Sequence, residues 1–150
     1  MPVLEKTGDI FSSQAEAVGH GVNTLGYMGA GIAAQFSRKF PVMYAQYKEL
    51  CEGHRLKPGK VFVYHIPQTD RWVFNLASQK NPGADAQLYL VEESVANAFF
   101  IMDSLGITSI ALPRIGSGIG GLNWDDVKAE IERVASYNPH ITVELWTYDV

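Results

Sequence analysis

The stretch Leu112–Trp124, Leu-Pro-Arg-Ile-Gly-Ser-Gly-Ile-Gly-Gly-Leu-Asn-Trp, decides how the rest of this 150-residue chain is interpreted. An apolar run at 109–112 predicts a strand, four glycines follow within the six residues 116–121, and helical spacing resumes after Asn123. Glycines this dense let the backbone approach a ligand closely, and consecutive N–H groups can then converge on an anion. A plain strand-to-helix connection needs fewer glycines, so we interpret this segment as a ligand-binding loop.

A second glycine-rich segment lies near the start of the chain, after a predicted strand at Ala15–Val22. Nine of the fourteen glycines fall in residues 19–31 and 116–121 together. The spacing in 116–121 matches neither Gly-x-Gly-x-x-Gly with a following ribose-binding acid nor Gly-x4-Gly-Lys-Ser/Thr, so the two common nucleotide fingerprints do not apply. Two separate loops of this kind predict that both contact one ligand, from opposite sides.

Length and composition limit the classes of function. A chain of 150 residues with 47% hydrophobic content is expected to form a single domain over 1–150, and its net charge of −4 gives no general basic field for nucleic acid. With Cys51 as the one cysteine and four scattered histidines, we expect no disulfide, no metal and no cofactor. There is no apolar leader and no run near the ~20 residues of a membrane span. We therefore expect a monomeric, cytoplasmic protein with no membrane partner.

Predicted strands and helices alternate along most of the chain. The strands are placed at Pro2–Thr7, Ala15–Val22, Val61–His65, Trp72–Leu76, Ile107–Leu112 and Ile141–Thr147, and the helices at Gly29–Phe40, after Pro41, at Gln87–Leu105 and at Trp124–Tyr137. This order predicts an α/β fold with a mixed, largely parallel sheet covered by helices on both faces. Ligands of such sheets bind at the carboxyl ends of the strands, where both glycine loops fall.

The helices that follow the two glycine loops differ in their first turns. The helix after Asn123 carries Asp125 and Asp126 there, with Asn123 as the predicted N-cap, so its positive end is already compensated. The helix that begins near Gly29 has no acid in its first turn. An anionic ligand is therefore expected at Gly29–Ile32, with the second loop wrapping it from the other side.

These residues together resemble the macro domain, a three-layer α/β/α module that binds ADP-ribose. The resemblance covers nearly the whole chain and rests on Gly8-Asp9-Ile10, Asn23, Met28-Gly-Ala-Gly-Ile32, the loop 116–121 and an aromatic residue after the last strand. Within the family the chain looks closest to the branch that contains terminal ADP-ribose glycohydrolase, the macrodomain of the DarG antitoxin and ADP-ribose 1″-phosphate phosphatase. Met-Gly-Ala-Gly-Ile-Ala is similar to the first, and Ser117-Gly-Ile-x-Gly-x-x-Trp124 to the last.

The resemblance implies a role for each matching residue. Asp9 would accept from the adenine amino group, the Ile10 main chain would donate to the ring, and Tyr148 would stack on it, whereas Trp146 is expected to pack in the core. Asn23 would orient the distal ribose. The remaining expected contacts frame the diphosphate and that ribose: His20, Met28, Gly29, Ala30, Gly31, Ile32, Ser78, Gln79, Pro113, Ile115, Gly116, Ser117, Gly118, Ile119 and Gly120.

The chain departs from the family pattern at the catalytic positions. The terminal glycohydrolase uses a lysine after a strand-end threonine and an aspartate in the second glycine loop. Here Ser78 stands at the threonine, Gln79 at the lysine and Gly120 at the aspartate. Lys80 follows one residue late, so it is either a nucleophile reached by a loop shift or a solvated lysine. His20 and Asp85 are spare candidates, and for each the alternative is a structural or solvent-facing role.

The resemblance therefore supports three functions. The leading one is an ADP-ribosyl hydrolase that cleaves at C1″ of the distal ribose of ADP-ribosylated protein or nucleic acid, with a bound water as the attacking group. The second is an ADP-ribose 1″-phosphate phosphatase. The third is a non-catalytic ADP-ribose reader, because the same site without a nucleophile would still bind.

Overall fold

The computed structural model describes residues 3–148, and it shows one six-stranded sheet with helices on both faces. The elements, in chain order, are β1 (Val3–Thr7), a 3₁₀ turn (Ile10–Ser12), β2 (Ala17–Gly21), α1 (Gly31–Lys39), α2 (Pro41–Glu52), β3 (Val61–His65), β4 (Trp72–Leu76), α3 (Leu88–Leu105), β5 (Ser109–Leu112), α4 (Trp124–Ser136) and β6 (Thr142–Thr147). Each strand and helix whose two bounds were predicted lies within two residues of them, and α2 begins at Pro41, the predicted break between the first two helices. The start of the predicted first strand, Pro2, lies outside the described residues.

The strand order is β1-β6-β5-β2-β4-β3, and every neighbouring pair is parallel except β3 with β4. The mixed, largely parallel sheet is therefore confirmed, and β3 and β4 form an antiparallel pair. Because five strands run the same way, their carboxyl ends meet at one edge. Loops after β2, β4 and β5 lie side by side there, and those after β1 and β6 lie next to one another at the far end.

Two hydrophobic clusters separate the three layers. On one face α3 and α4 pack through Val95, Phe99 and Ile131 against strand residues such as Ile110. On the other face α1 and α2 pack through Phe36, Met43 and Tyr47 against Val18, Val73 and Ala111. Since alternate residues of a strand point to opposite faces, β5 supplies both clusters. This arrangement is the predicted α/β/α sandwich.

Local signals explain where several helices begin. Pro41 occupies the first turn of α2, where its fixed φ and missing N–H cost nothing. Asn123 caps α4 by accepting from the N–H groups of Asp125 and Asp126, as predicted. Ala30 precedes α1 in an extended conformation and offers no side-chain cap, so α1 begins two residues later than predicted. No helix among residues 3–148 is long and apolar enough to cross a membrane.

Candidate functional site

A cavity of about 400 Å³ opens at the carboxyl edge of the sheet, between the two glycine loops and the loop after β4. Most of the predicted contact residues line it, namely Asn23, Gly29, Ala30, Ile32, Ser78, Gln79, Pro113, Ile115, Gly116, Gly118, Ile119 and Gly120. The structure thus brings three loops that are distant in sequence to one place. Their meeting follows from the strand order, because β5, β2 and β4 are neighbours in the sheet.

Gly29 and Gly118 face open space in this cavity. A Cβ added to either would meet no protein atom within 4 Å, and neither glycine has a positive φ. Nothing in the described fold therefore requires glycine at these two positions. A ligand that passes close to the main chain gives a physical reason for both.

The amino end of α1 borders the same space. Its first turn contains no acid, and Ala30 gives its free N–H groups no side-chain partner. No Asp or Glu is present among the described residues that line the cavity, and Arg114 is the one charged side chain there. Free N–H groups, the positive end of a helix and a guanidinium together favour an anion such as a diphosphate.

Asn23 organises the loop that borders this space on the β2 side. Its Oδ1 accepts from the N–H groups of Leu25, Gly26 and Tyr27 at 3.1, 3.1 and 3.3 Å, and its Nδ2 donates to Tyr27 O at 2.8 Å. The buried Tyr47 hydroxyl also donates to Asn23 O at 2.7 Å, and burial raises the pKa of Tyr47, so it stays protonated. Asn23 has one further amide N–H, which limits its contact with a ligand to a single donated hydrogen bond.

The residues after β4 form a second polar frame. Gln79 donates through Nε2 to Asn81 O at 2.7 Å and to Gly83 O at 2.9 Å, while Asp85 accepts from Asn81 N at 2.8 Å. These bonds fix the turn that carries Pro82 and Gly83 into the cavity wall. Gln79 and Asp85 therefore have structural roles in this loop.

Ser78 and Lys80 flank Gln79 and differ in placement. The Ser78 hydroxyl is buried at the cavity wall and has no hydrogen-bond partner in residues 3–148, and a Cβ at Gly21 would stand 2.5 Å from it. The Lys80 side chain is exposed and does not line the cavity, while its carbonyl accepts from Thr24. In this structure the Lys80 side chain is solvent-exposed, which agrees with the solvated lysine rather than with the nucleophile.

His20 lies in the core outside the cavity wall, so the structure corrects its predicted contact with ligand. The side chain is fully buried and stacks on Phe36 with ring centroids 3.8 Å apart. Its Nε2 is 2.7 Å from Asn75 Oδ1, and Asn75 Nδ2 donates to Phe62 O, so Nε2 carries the proton. Burial lowers the pKa of His20 to about 4, partly opposed by the bond to Asn75. A neutral core histidine is the result.

The predicted adenine contacts lie outside the cavity wall, at the β1 and β6 end of the sheet edge. Asp9 caps the 3₁₀ turn by accepting from Phe11 N at 2.9 Å. Tyr148 is exposed. Trp146 is partly buried against the core, as expected, and its Nε1 donates to Glu144. Ile10 and Met28 have buried side chains, so only their main chains can meet a ligand. Gly31 and Ser117 adjoin the cavity without lining it.

Several lining residues were missed by the sequence reasoning: Gly21, Val22, Tyr27, Ala33, Pro82, Gly83 and Arg114. Two of them carry signals that the sequence does contain. Arg114 is the one charged residue in Leu112–Trp124, and Tyr27 is an aromatic residue inside a glycine-rich loop. The Arg114 guanidinium lies 5.3 Å from the Trp124 ring centre and donates through Nε to Thr147 Oγ1 at 3.2 Å. Both contacts hold it at the cavity mouth.

Comparison with known proteins identifies the family. The family model of the macro domain matches residues 20–131, which include both glycine loops and the loop after β4. The chain belongs to the macro domain family. The macrodomain of Mycobacterium tuberculosis DarG superposes with a TM-score of 0.91 at 29% identity, and the match covers 96% of each chain.

Among curated macro domain proteins, the chain is similar to the DNA ADP-ribosyl glycohydrolase of Thermus aquaticus. The two are 35% identical over 145 residues, which is 95% of this chain and 39% of that protein. The chain thus spans well under half the length of that relative. It is also 27% identical over 158 residues to the ADP-ribose 1″-phosphate phosphatase of Lodderomyces elongisporus, covering 95% of this chain and 99% of that protein.

Proposed function

We propose that this macro domain binds ADP-ribose and hydrolyses the bond at C1″ of the distal ribose in ADP-ribosylated macromolecules. The observation that carries the proposal is the cavity itself. Its wall has Gly29 and Gly118 open to a ligand, the uncapped end of α1 and Arg114, with no described carboxylate to repel an anion. The reaction class, hydrolysis, comes from the similarity to a DNA ADP-ribosyl glycohydrolase and an ADP-ribose 1″-phosphate phosphatase. The resemblance gives the direction of the ligand, with adenine near Asp9 and the distal ribose near Asn23.

The composition of the wall favours water as the attacking group. Among the described residues that line the cavity there is no Asp, Glu, His, Lys or Cys, and the Ser78 hydroxyl has no neighbouring base. A water held between the diphosphate and the ribose would bond to C1″ as the bond to the leaving group breaks. Its proton would pass to the departing atom or to a phosphate oxygen. Positioning by Asn23 and charge stabilisation at α1 would supply most of the rate.

Nucleic acid is the macromolecule that the relatives favour, since the Thermus aquaticus protein is a DNA ADP-ribosyl glycohydrolase. ADP-ribose 1″-phosphate is the second candidate substrate, because the chain matches almost the full length of a phosphatase of that compound. Binding without turnover is the third, and the lack of a general base beside the Ser78 hydroxyl in the described wall favours it. We also propose a cytoplasmic location, with which the buried free thiol of Cys51 agrees. We propose that the protein is a monomer.

Two measurements test the proposal. Free ADP-ribose should raise the free energy of unfolding by about 2.7 kcal/mol at 100 times its Kd, because it binds the folded chain alone. Turnover should then be compared on ADP-ribosylated DNA, ADP-ribosylated protein and ADP-ribose 1″-phosphate. No thermal shift at millimolar ADP-ribose would overturn the proposal. Binding of ADP-ribose with no turnover of any of the three substrates would leave a non-catalytic ADP-ribose reader as the function.

A further inference from the structure

Tyr27 is an exposed aromatic residue on a main chain that is held rigidly. Its side chain lines the cavity, is 62% exposed and makes no ring-to-ring contact among the described residues. Both of its main-chain polar groups are nevertheless bonded, because Asn23 accepts from Tyr27 N–H and donates to Tyr27 O. The ring is therefore presented to solvent by a fixed backbone.

The loop around Tyr27 is anchored on both sides. On one side Thr24 donates through N–H and hydroxyl to Lys80 O at 3.1 and 3.2 Å. On the other side Gly26, with φ +100°, packs against α2 at Lys48 and Cys51, and a Cβ at Gly26 would lie 3.5–3.9 Å from those residues. A platform that is already ordered loses little conformational entropy when a partner stacks on it.

The position of Tyr27 relates it to the bond that is cleaved. In the sheet edge, the predicted adenine contacts follow β1 and β6, whereas Asn23, Ser78 and Gln79 follow β2 and β4 at the opposite end. With adenine at the first end, the distal ribose and its C1″ lie at the second, where Tyr27 and Pro82 form the rim. A group attached to C1″ would leave the cavity past the Tyr27 ring.

The rim offers little to a peptide main chain. The N–H groups of Thr24, Leu25, Gly26 and Tyr27 and the carbonyl of Tyr27 are all occupied within the protein, and Pro82 has no N–H. What remains is the face of an aromatic ring, with the exposed Lys48 on the adjoining segment of α2. Lys48 forms no ion pair among residues 3–148, and its ammonium lies 5.8 Å from the Tyr44 ring centre. An aromatic face, with a lysine that has no described carboxylate partner next to the same loop at Gly26, suits a flat base and its phosphate.

We propose that Tyr27 is the stacking surface for the nucleobase of an ADP-ribosylated single-stranded nucleic acid, and that it determines the choice of leaving group. The inference rests on the proposed function and names a residue that selects its substrate. Since the net charge of −4 gives no general attraction for nucleic acid, recognition falls to local contacts of this kind.

The test compares substrates across one set of variants. Tyr27→Ala should lower kcat/KM for a single-stranded DNA oligonucleotide carrying ADP-ribose on a base by roughly 5- to 150-fold, the range for loss of one base–aromatic stack. Tyr27→Trp should keep most of that activity. The affinity for free ADP-ribose and turnover of ADP-ribose 1″-phosphate should change by less than about threefold, because neither carries a base on C1″. Tyr89→Ala, an exposed tyrosine on α3 outside the cavity, is the matched control.

Several outcomes would overturn the inference. Equal losses on every substrate would show that the ring packs on the ribose, and losses confined to an ADP-ribosylated peptide would show a protein leaving group. Unchanged kinetics in Tyr27→Ala with intact ADP-ribose binding would sink this inference alone. If the oligonucleotide is bound without turnover, its Kd replaces kcat/KM in the same comparison. A wild-type protein that does not bind ADP-ribose would remove the proposed function and this inference together.

Discussion

The side chain of Ile119 lies over Gly31, so the two glycine loops touch above the cavity: a Cβ on Gly31 would stand 2.9 Å from Ile119 Cδ1. Gly31 has φ +59°, a conformation that other residues adopt only with strain, and it begins α1. The contact therefore requires glycine at position 31 for two reasons: a side chain would collide with Ile119, and φ is positive. Because Ile119 also lines the cavity, we expect this bridge between the loops to cover a bound ligand beside the free N–H groups of α1.

Ile119→Ala should open this cover. Because Ile119 is 54% exposed, its loss should change the free energy of unfolding by no more than about 0.5 kcal/mol. The affinity for ADP-ribose should fall by roughly 5- to 30-fold. The apolar surface that Ile119 buries when it closes over bound ligand contributes about 1–2 kcal/mol to the binding free energy. Calorimetric titration and denaturant unfolding measure the two effects. Leu105→Ala, on the exposed end of α3, is the control, and an unchanged Kd in Ile119→Ala would show that the contact does not cover the ligand.

Asp9 has two separable tasks if it contacts adenine, because Oδ1 is already bonded to Phe11 N. Asp9→Asn can keep that cap through its own oxygen but turns an amide donor toward the adenine amino group. Asp9→Ala removes both. We expect each variant to weaken ADP-ribose binding by about 1–3 kcal/mol, while only Asp9→Ala lowers stability, by about 1 kcal/mol. Unchanged affinity in Asp9→Asn would place the adenine elsewhere.

Elements with local signals could be predicted, and long-range placement could not. Pro41 and Asn123 marked helix starts correctly because a fixed φ and a capping oxygen act within one turn. For His20, by contrast, the family resemblance suggested ligand contact, with a structural role as the alternative. Alternation along β2 sends Gly19 and Gly21 to one face and His20 to the other, under Phe36, and which face meets the cavity depends on the helices packed against it.

The same limit explains the two missed rim residues. Tyr27 and Arg114 sit in loops whose composition predicted a ligand site, but their exposure depends on hydrogen bonds to Asn23 and on packing against Trp124. Motif matching assigns roles to positions that the family shares. It does not tell which neighbouring side chains of the same loop turn toward the cavity, because that depends on the contacts of the folded chain.

Gly118→Glu should separate binding from folding. No protein atom lies within 4 Å of a Cβ there, so the fold can accept a side chain, while the carboxylate would enter the space proposed for the diphosphate. ADP-ribose binding should become undetectable, with a melting temperature in the absence of ligand close to wild type. Ser104→Glu adds the same charge at an exposed position on α3 and should bind normally. Retained affinity in Gly118→Glu would mean that the diphosphate does not pass this loop.

His20 should make stability depend on pH. Its pKa is about 4 when folded and 6.5 in the unfolded chain, so the unfolded state takes up a proton first as the pH falls. The contribution of neutral His20 to the free energy of unfolding is complete above pH 6.5 and declines between pH 6.5 and 4. Its full size is about 3 kcal/mol. Denaturant unfolding at several pH values should show a shallower decline in His20→Gln than in wild type.

The catalytic route should leave no covalent sugar on the protein. The resemblance puts Gln79 and Gly120 at the positions of the lysine and aspartate of the covalent route, and Gln79 Nε2 is bonded to two carbonyls of its own loop. Lys80 has an exposed side chain outside the cavity wall, so Lys80→Ala should keep at least about half of the wild-type turnover. Borohydride added during turnover, followed by mass spectrometry, should find no enzyme–sugar adduct. An adduct on Lys80, together with loss of activity in Lys80→Ala, would show that the loop after β4 shifts by one residue when substrate binds.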